Sequence, residues 1–362
     1  MDIRKEGLVP THATRHPFEF QGSGGEYFKI WIVNLALSII TLGIFSAWAK
    51  VRTRRYFLGN TVLAGHSFDY HGQPLRILLG RIIALVLLGG YSLSVNFGGP
   101  KFVAVWALVF LLALPWLVRA SFRFNARNTS YRNVRFQFDG TYGGAFKAFV
   151  LWMLGAAVSL FTLAPFAHRA RDYYHINNHS FGGRRFRCEF PIGPLYGIYL
   201  LSILFFVVGI AVLIGAVAST GIFAGLAGMA GHAKPQIPPV LIPIFLLLAL
   251  GYLVIILFVG AFFRTRVFNL VLDNTSIDGG LQMQADVPIL GMMWILFSNV
   301  LFTLITLGIF YPFAMVRQTR FMLSHMAVEG DANLDDVVDT APLAPGAVGE
   351  EVASFFDIDF GL

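Results

Sequence analysis

Cysteine is all but missing from this chain: Cys188 is the one example in 362 residues. No internal disulfide can form, no thiolate metal site can be built from cysteine alone, and the lone thiol is expected to be inert. Charge is scarce too, with 13% charged against 56% hydrophobic residues. A soluble fold of this length has no need of such a balance, so the surplus apolar surface is expected to face lipid. The long apolar segments hold no Asp or Glu, which removes the usual carboxylate for coupling to a proton or sodium gradient. The opening residues, MDIRKEGLVPTHATRHPFEF, lack the charged, apolar, then small-residue layout of a cleavable signal, so the first apolar segment is expected to remain in the mature protein. The glycines of G-S-G-G-E-Y are not followed by Lys-Ser or Lys-Thr, and a nucleotide loop is unsupported.

What is present is long apolar sequence. Residues 77–95, 102–118, 192–217 and 240–263 are each long enough to cross a ~30 Å hydrocarbon core as a helix. Residues 28–49, 145–166 and 288–313 are also long enough, but each carries a breaker near its end. Charge divides sharply along the chain: up to Arg320 there are 27 bases against 11 acids, while Glu329 to Asp359 adds nine acids and no base. The last stretch reads as a solvated acidic tail. The alternative is that Phe355, Phe356 and Phe360, interleaved with Asp357 and Asp359, dock on a basic face of this molecule or of a partner.

Self-similarity sets the architecture. Residues 34–56 match residues 299–321 without a gap at an offset of 265, with T-L-G-I-F identical in both and Asn34, Ala49, Arg52 and Arg55 matched by Asn299, Ala314, Arg317 and Arg320. A looser copy at an offset of 118 pairs Phe18, Phe20, Gly22, Ala49, Tyr56 and Asn60 with Phe136, Phe138, Gly140, Ala167, Tyr174 and Asn178, with T-L-A-P-F replacing T-L-G-I-F a few residues along. A second motif begins N-T or N-H at Asn60, Asn128 and Asn178, with a weaker copy at Asn274; its alternation of apolar and polar residues around a turn signal predicts short β-hairpins. Such hairpins are marginal alone and are expected to pair with one another or to lie on the membrane surface.

Basic residues then choose a topology, because cytoplasmic segments carry the positive excess. Seven crossings would put 12 bases on one side and 15 on the other. Four crossings leave only Lys101 and Lys234 outside, of 27. The repeated segments are therefore expected to enter from the cytoplasmic face, turn at T-L-G-I-F or T-L-A-P-F, and return as basic interfacial helices. The expected fold class is an all-α polytopic membrane protein with short cytoplasmic β-hairpins and three pseudo-repeats of apolar helix, break and basic amphipathic helix. Its divisions are a polar N-terminus (1–27), repeat unit 1 with its hairpin (28–72), a transmembrane helix pair (73–127), hairpin, repeat unit 2 and hairpin (128–190), a second transmembrane pair (191–266), hairpin and repeat unit 3 (267–325) and the acidic tail (326–362).

Candidate chemistry is thin. Asn34 and Asn299 are the candidate intramembrane polar contacts, although an interhelical hydrogen bond worth roughly 1 kcal/mol is the commoner role, and Trp152 takes that place in the middle unit. Arg52, Arg55, Arg169, Arg171, Arg317 and Arg320 sit just beyond the apolar segments, where they orient the chain by snorkelling or grip anionic lipid headgroups. His175 and His179 have the i, i+4 spacing of two metal ligands, but no third ligand stands nearby. No catalytic residue, metal or cofactor is expected. Basic charge beside aromatics is accounted for by membrane orientation, so nucleic acid is not an expected partner and the lipid bilayer is.

The motifs F-x-F-x-G-x-G-G-E-Y-F, T-L-G-I-F-S-A-W-A-K-V-R-x-x-R-Y-F-x-x-N-T and F-x-Y-x-G resemble the N-terminal signature of the YjgN-like family of bacterial inner-membrane proteins. The resemblance continues through N-T-S at Asn274, the final T-L-G-I-F-Y-P-F-A-M-V-R and V-G-E-E-V-A near Val348. It implies residence in the bacterial cytoplasmic membrane and brings no catalytic residues, since the family is one of unknown function. The functional expectation is a non-enzymatic membrane protein, a passive pore or carrier built around pseudo-repeats. The alternative is a scaffold that binds anionic lipid or partner proteins through a basic cytoplasmic face.

Overall fold

A computed structural model describes residues 14–219 and 241–330. The acidic tail beyond residue 330 and the loop holding Lys234 lie outside the described residues. Short strands alternate with paired helices: β1 (Thr14–Phe20), α1 (Gly24–Ile40), α2 (Ser46–Gly59), β2 (Thr61–Leu63), β3 (His66–Tyr70), α3 (Pro74–Phe97), α4 (Gly99–Asn128), β4 (Thr129–Tyr131) and β5 (Val134–Phe138). Next come α5 (Tyr142–Phe146), running through a π turn at Lys147–Leu151 into α6 (Trp152–Val158), then α7 (Ala164–Ile176), β6 (His179–Phe181), β7 (Arg184–Cys188), α8 (Ile192–Ala218) and α9 (Leu241–Asp273). The described chain ends with β8 (Thr275–Ile277), β9 (Leu281–Ala285), α10 (Ile289–Ile305), α11 (Tyr311–Leu323) and β10 (Met326–Gly330).

The ten strands close into one antiparallel barrel in chain order, with β10 returning to β1. This overturns the expected all-α fold with short cytoplasmic β-hairpins: the hairpins are joined to one another and closed into a barrel. A hairpin of one three-residue and one five-residue strand makes too few hydrogen bonds to persist alone and leaves two open edges; pairing each hairpin with the next, with β1 and β10 between the first and the last, removes every edge. The two strands that the sequence pattern did not announce complete the ring. β1 lies in the stretch read as a polar N-terminus and β10 at the start of the stretch read as an acidic tail. β1 is shared, its residues 14–17 pairing with β10 and its residues 18–20 with β2. Phe18, Leu63, Tyr131, Phe181, Leu281 and Val328, from six different strands, meet inside the ring and fill it.

Local chemistry explains each joint. Asn60, Asn128, Asn178 and Asn274 donate from the side-chain amide to the carbonyl four residues back, on Tyr56, Phe124, Tyr174 and Leu270, at 2.7–2.8 Å. This satisfies a carbonyl the helix end would otherwise leave open. Their own carbonyls accept from the main-chain N–H of Gln21, His71, Asp139 and Glu189 at 2.8–3.2 Å, tying each helix end to the neighbouring strand. At the fifth joint His325 does both tasks, with Nδ1 on Phe321 O at 2.7 Å and its carbonyl accepting from Asp286 N at 3.0 Å. The turns Ala64-Gly65, Arg132-Asn133 and Gly182-Gly183 have left-handed backbone at both positions, as two-residue hairpins of the favoured twist require. Because successive strands are antiparallel, these turns emerge at one rim of the ring and the Asn60, Asn128, Asn178 and Asn274 joints at the other.

The chain divides into two compact units: Met1–Ile192, Asn269–Asp286 and Tyr311–Leu362 form one, Gly193–Phe268 and Val287–Phe310 the other. The first contains the ring. In the second, Phe205 of α8 packs on Phe258 and Phe262 of α9 with ring centroids 5.4 and 5.0 Å apart. Gly251 lies against Leu213 there, a small residue that lets two apolar helices approach. Among the described residues three helices, Gly99–Asn128, Ile192–Ala218 and Leu246–Asp273, are long and apolar enough to cross a membrane. The segment at 77–95 lies within the single helix α3, 24 residues long, which packs Tyr91 on Phe110 of α4.

Gly140, just after β5, is held by sterics. A Cβ there would sit 2.5 Å from the Phe138 ring and 2.7 Å from the Tyr174 hydroxyl, whereas one at Gly143 would meet nothing within 4 Å. Gly140→Ala should therefore lower stability by the ~1–3 kcal/mol of an overpacked site. Gly143→Ala, in a helix, should hold or raise it. Thermal unfolding in detergent tests this; equal midpoints for the two variants would contradict the crowding.

Candidate functional site

The same sequence of local structures occurs three times. A helix of 17 residues, α1 (Gly24–Ile40), the α5 to α6 run (Tyr142–Val158) or α10 (Ile289–Ile305), is followed by a break and a second helix of 13 or 14 residues, α2, α7 or α11. A 17-residue helix reaches only ~25 Å, short of a ~30 Å hydrocarbon core. The breaks close alike. Gly43 N donates to Ser38 O at 2.7 Å, Phe161 N to Ala156 O at 2.6 Å and Gly308 N to Thr303 O at 2.7 Å. A hydroxyl then starts the return: Thr41 Oγ1 accepts from Phe45 N at 2.9 Å, Ser159 Oγ from Leu163 N at 3.1 Å and Thr306 Oγ1 from Phe310 N at 2.9 Å. The middle break therefore falls at S-L-F-T-L, residues 159–163, in step with the first at an offset of 118. T-L-A-P-F instead runs from the end of the break into the return helix, with Pro165 in the first turn of that helix, where a missing N–H costs nothing.

Each break places a leucine in the left-handed region, Leu42 at φ 49°, Leu160 at φ 50° and Leu307 at φ 51°. These three are 94%, 86% and 93% exposed. Ile40, Val158, Ile305, Ile44, Phe161 and Ile309 around them are also exposed, so every break is an apolar tip.

The arginines named from sequence are largely engaged by the fold. Arg55 Nε donates to Tyr70 O at 3.0 Å, Arg320 Nη2 to Gly22 O at 2.6 Å and Arg169 Nη1 to Phe190 O at 3.5 Å. Each of these carbonyls ends or follows a strand, and Arg119, which sequence reasoning passed over, holds Gly140 O in the same way at 2.7 Å. Arg52 lies over the Phe45 ring at 5.3 Å, and Arg171 Nε reaches back to Ala167 O at 3.4 Å. Arg317 is half-buried on α11. Asn34 and Asn299 are both buried, on α1 and α10. Asn34 borders an open cleft of about 470 Å³ between α1, α2 and α3, lined also by Trp31, Ser38, Ser46, Lys50, Thr53 and Arg81. In the middle segment Trp152 stacks flat on Phe166 at 5.6 Å beside a smaller groove of about 280 Å³.

A buried ionisable pair on α7 escaped notice in the sequence. His168 Nε2 lies 3.5 Å from Asp172 Oδ2, with both side chains 18% exposed. Its signal was the i, i+4 placement of His and Asp in H-R-A-R-D. Burial raises the Asp172 carboxyl to about 7 against the opposing pull of Arg171, and burial lowers His168 to about 4. His175 and His179 sit in the core against Phe122 and Phe138, and burial lowers His175 to about 3. Among the described residues no group of three or more His, Cys, Asp or Glu is placed to hold a metal ion. Cys188 is buried, and burial raises its thiol to about 11, leaving little thiolate.

The α7 pair sets a pH dependence. The folded chain keeps a proton on Asp172 that the unfolded chain loses between pH 3.8 and about 7, so this group erodes stability as the pH climbs through that window. His168 acts oppositely, adding stability as the pH rises from about 4 to 6.5. Relative to the parent, Asp172→Asn should gain stability from about pH 4 to about 7 and nothing further above it. Unfolding midpoints across a pH series give the readout, and parallel curves for the two proteins would contradict the assignment.

Comparison with known proteins gives a consistent picture. A family model described as bacterial protein of unknown function (DUF898) matches residues 15–355. Inner membrane protein YjgN of Salmonella typhimurium strain LT2 is 23% identical over 365 residues, covering 91% of this chain and 92% of that protein. Inner membrane protein YjgN of Escherichia coli O157:H7 is 29% identical over 164 residues, 44% of this chain and 40% of that protein. The protein of the same name from Escherichia coli K12 is 31% identical over 136 residues, 38% of this chain and 33% of that protein. The matches to the two Escherichia coli relatives thus span less than half of those proteins. No solved structure matches.

Proposed function

Because the chain belongs to the DUF898 family of bacterial proteins of unknown function, with relatives that are inner membrane proteins by name, we propose that it is a non-enzymatic, multi-pass scaffold of the bacterial inner membrane. In this reading the β-ring lies on the cytoplasmic face, the long helix pairs cross the bilayer, and the helix–break–helix segments dip into the cytoplasmic leaflet and grip it.

One observation carries the reading: the exposed, left-handed leucine at the tip of every break. A non-glycine residue in this region is strained by roughly 1–2 kcal/mol, and an exposed leucine forgoes roughly 1.5–3 kcal/mol of burial. Both together, three times, make sense where the tip is surrounded by hydrocarbon. Ring closure supports the topology. Seven crossings would distribute the strands over both sides of the bilayer and forbid a single ring, whereas four crossings and three re-entrant segments leave all ten strands together. The pore or carrier suggested by the repeats is less well supported, because apolar side chains from six strands pack together inside the ring.

Single cysteines at Leu42, Leu160 and Leu307, carrying a fluorophore, should be quenched by nitroxides on acyl chains and resist aqueous quenchers. A cysteine at Ala64 should react with impermeant reagent only from the cytoplasmic side, and one at Lys101 only from the opposite side. Tips quenched from water, or matching sidedness at Ala64 and Lys101, would sink the proposal.

A further inference from the structure

Resting on the reading of the break segments as embedded in one leaflet, we infer that the cleft between α1, α2 and α3 is a binding site for a phosphate-ester anion that also carries a hydrogen-bond donor, the chemistry of a phospholipid headgroup. Asn34 is 5% exposed, and its Oδ1 has no hydrogen-bond partner. A buried amide oxygen without a partner is costly, and its satisfaction by a bound group is the ordinary resolution. Asn34 lines the cleft together with the two cations Lys50 and Arg81 and the hydroxyls of Ser38, Ser46 and Thr53. The residues that line it bring two positive charges together and include no Asp or Glu. At about 470 Å³ the cleft falls in the ~300–1,000 Å³ range of small-ligand sites. Arg81 already reaches the Ser46 hydroxyl, so the guanidinium is fixed over the start of α2.

The surroundings favour a headgroup with chains attached. Trp31 and Leu35 border the cleft, and the exposed Ile39, Ile40 and Leu42 continue the apolar surface to the break. A phosphate held by Lys50 and Arg81 would therefore leave its acyl chains along the tip, while a hydroxyl or ammonium beyond the phosphate would donate to Asn34 Oδ1. The other two segments lack the set. Trp152 occupies the place of Asn34 in the middle one, and in the ungapped match of the third, Met315 stands where the first has Lys50. The site belongs to the first segment alone.

The test uses the full chain in nanodiscs of phosphatidylcholine with increasing phosphatidylglycerol, followed by native mass spectrometry of retained lipid. The parent should keep one phosphatidylglycerol beyond exchangeable lipid, and Lys50→Met, which installs the residue of the third segment, should weaken retention by about tenfold or more, as loss of a charge-assisted hydrogen bond implies. Asn34→Leu should weaken retention as well, with Arg135→Gln, at an exposed position of β5 that does not line the cleft, leaving it unchanged. Unfolding midpoints accompany each variant, and Arg81→Lys serves where Lys50→Met is not folded. Glycerol phosphate in solution forms a second arm: displacement of the lipid at millimolar concentration assigns the site to the anion itself, and no displacement assigns it to the lipid. Equal retention by the parent and every folded cleft variant overturns the inference. Tips shielded from water together with that result would sink the cleft alone, whereas water-exposed tips with intact glycerol phosphate binding would sink the leaflet reading and leave the cleft standing.

Discussion

Strands of three to seven residues hold together here because none of them is an edge. Each makes only two to five paired contacts with a neighbour, too few for an isolated hairpin, and the hydrogen bonds of one become secure only when the next closes beside it. Closure is thus a property of the whole chain, since β1 and β10, more than 300 residues apart, must meet before the ring exists. Long-range closure of this kind gives no reward until late, which makes the helix pairs between strands more than spacers. By packing against each other, the helices of α1–α2 and α3–α4 hold the ends of successive strands near one another.

The same closure explains where much of the positive charge goes. Arg55, Arg119, Arg169 and Arg320 each donate to a carbonyl at or just past a strand end, where the ladder stops and the chain turns toward a helix. Main-chain acceptors at such points need partners once partly buried, and a guanidinium supplies several donors from a long reach. A census of bases along the chain cannot separate this use from orientation in a membrane or from headgroup contact, because all three put arginine beside apolar helices.

Legibility in the sequence followed the range of the interactions. The apolar runs, the N-T joints and the alternation of the hairpins are local, and residues such as Asn60 and Asn128 do at their helix ends what a polar residue at such a boundary is suited to do. The ring was not legible, because pairing between hairpins leaves no pattern within either one. β1 was signalled only by Phe18, Phe20 and Gly22 matching Phe136, Phe138 and Gly140, and the Pro17 and charges around it masked the strand. The middle break is hidden for a chemical reason: Phe161 adopts the left-handed backbone that Gly43 and Gly308 adopt elsewhere, and the nearby T-L-A-P-F carries a proline that imitates a breaker but sits harmlessly in the first turn of α7. Asn34 is named from sequence as an intramembrane polar contact, but its cleft was not legible, because Arg81 joins from α3 and outside the repeat.

The choice of leucine at the tips separates a folding requirement from a surface requirement. Closure of the break needs a left-handed residue at positions 42, 160 and 307, and Gly or Asn would adopt it with less strain. Leucine offers the backbone no advantage there, and within the chain it gains almost no burial. In water such a residue is a liability on both counts. In contact with hydrocarbon the side-chain term changes sign and offsets the backbone strain, so a leucine tip is favourable only where the break is surrounded by acyl chains. A break in the cytoplasm would be better served by the Asn-Gly type of turn, and the hairpin turns at the opposite rim of the ring follow that rule: their left-handed positions are occupied by Ala64-Gly65, Arg132-Asn133 and Gly182-Gly183, small or polar residues in every case.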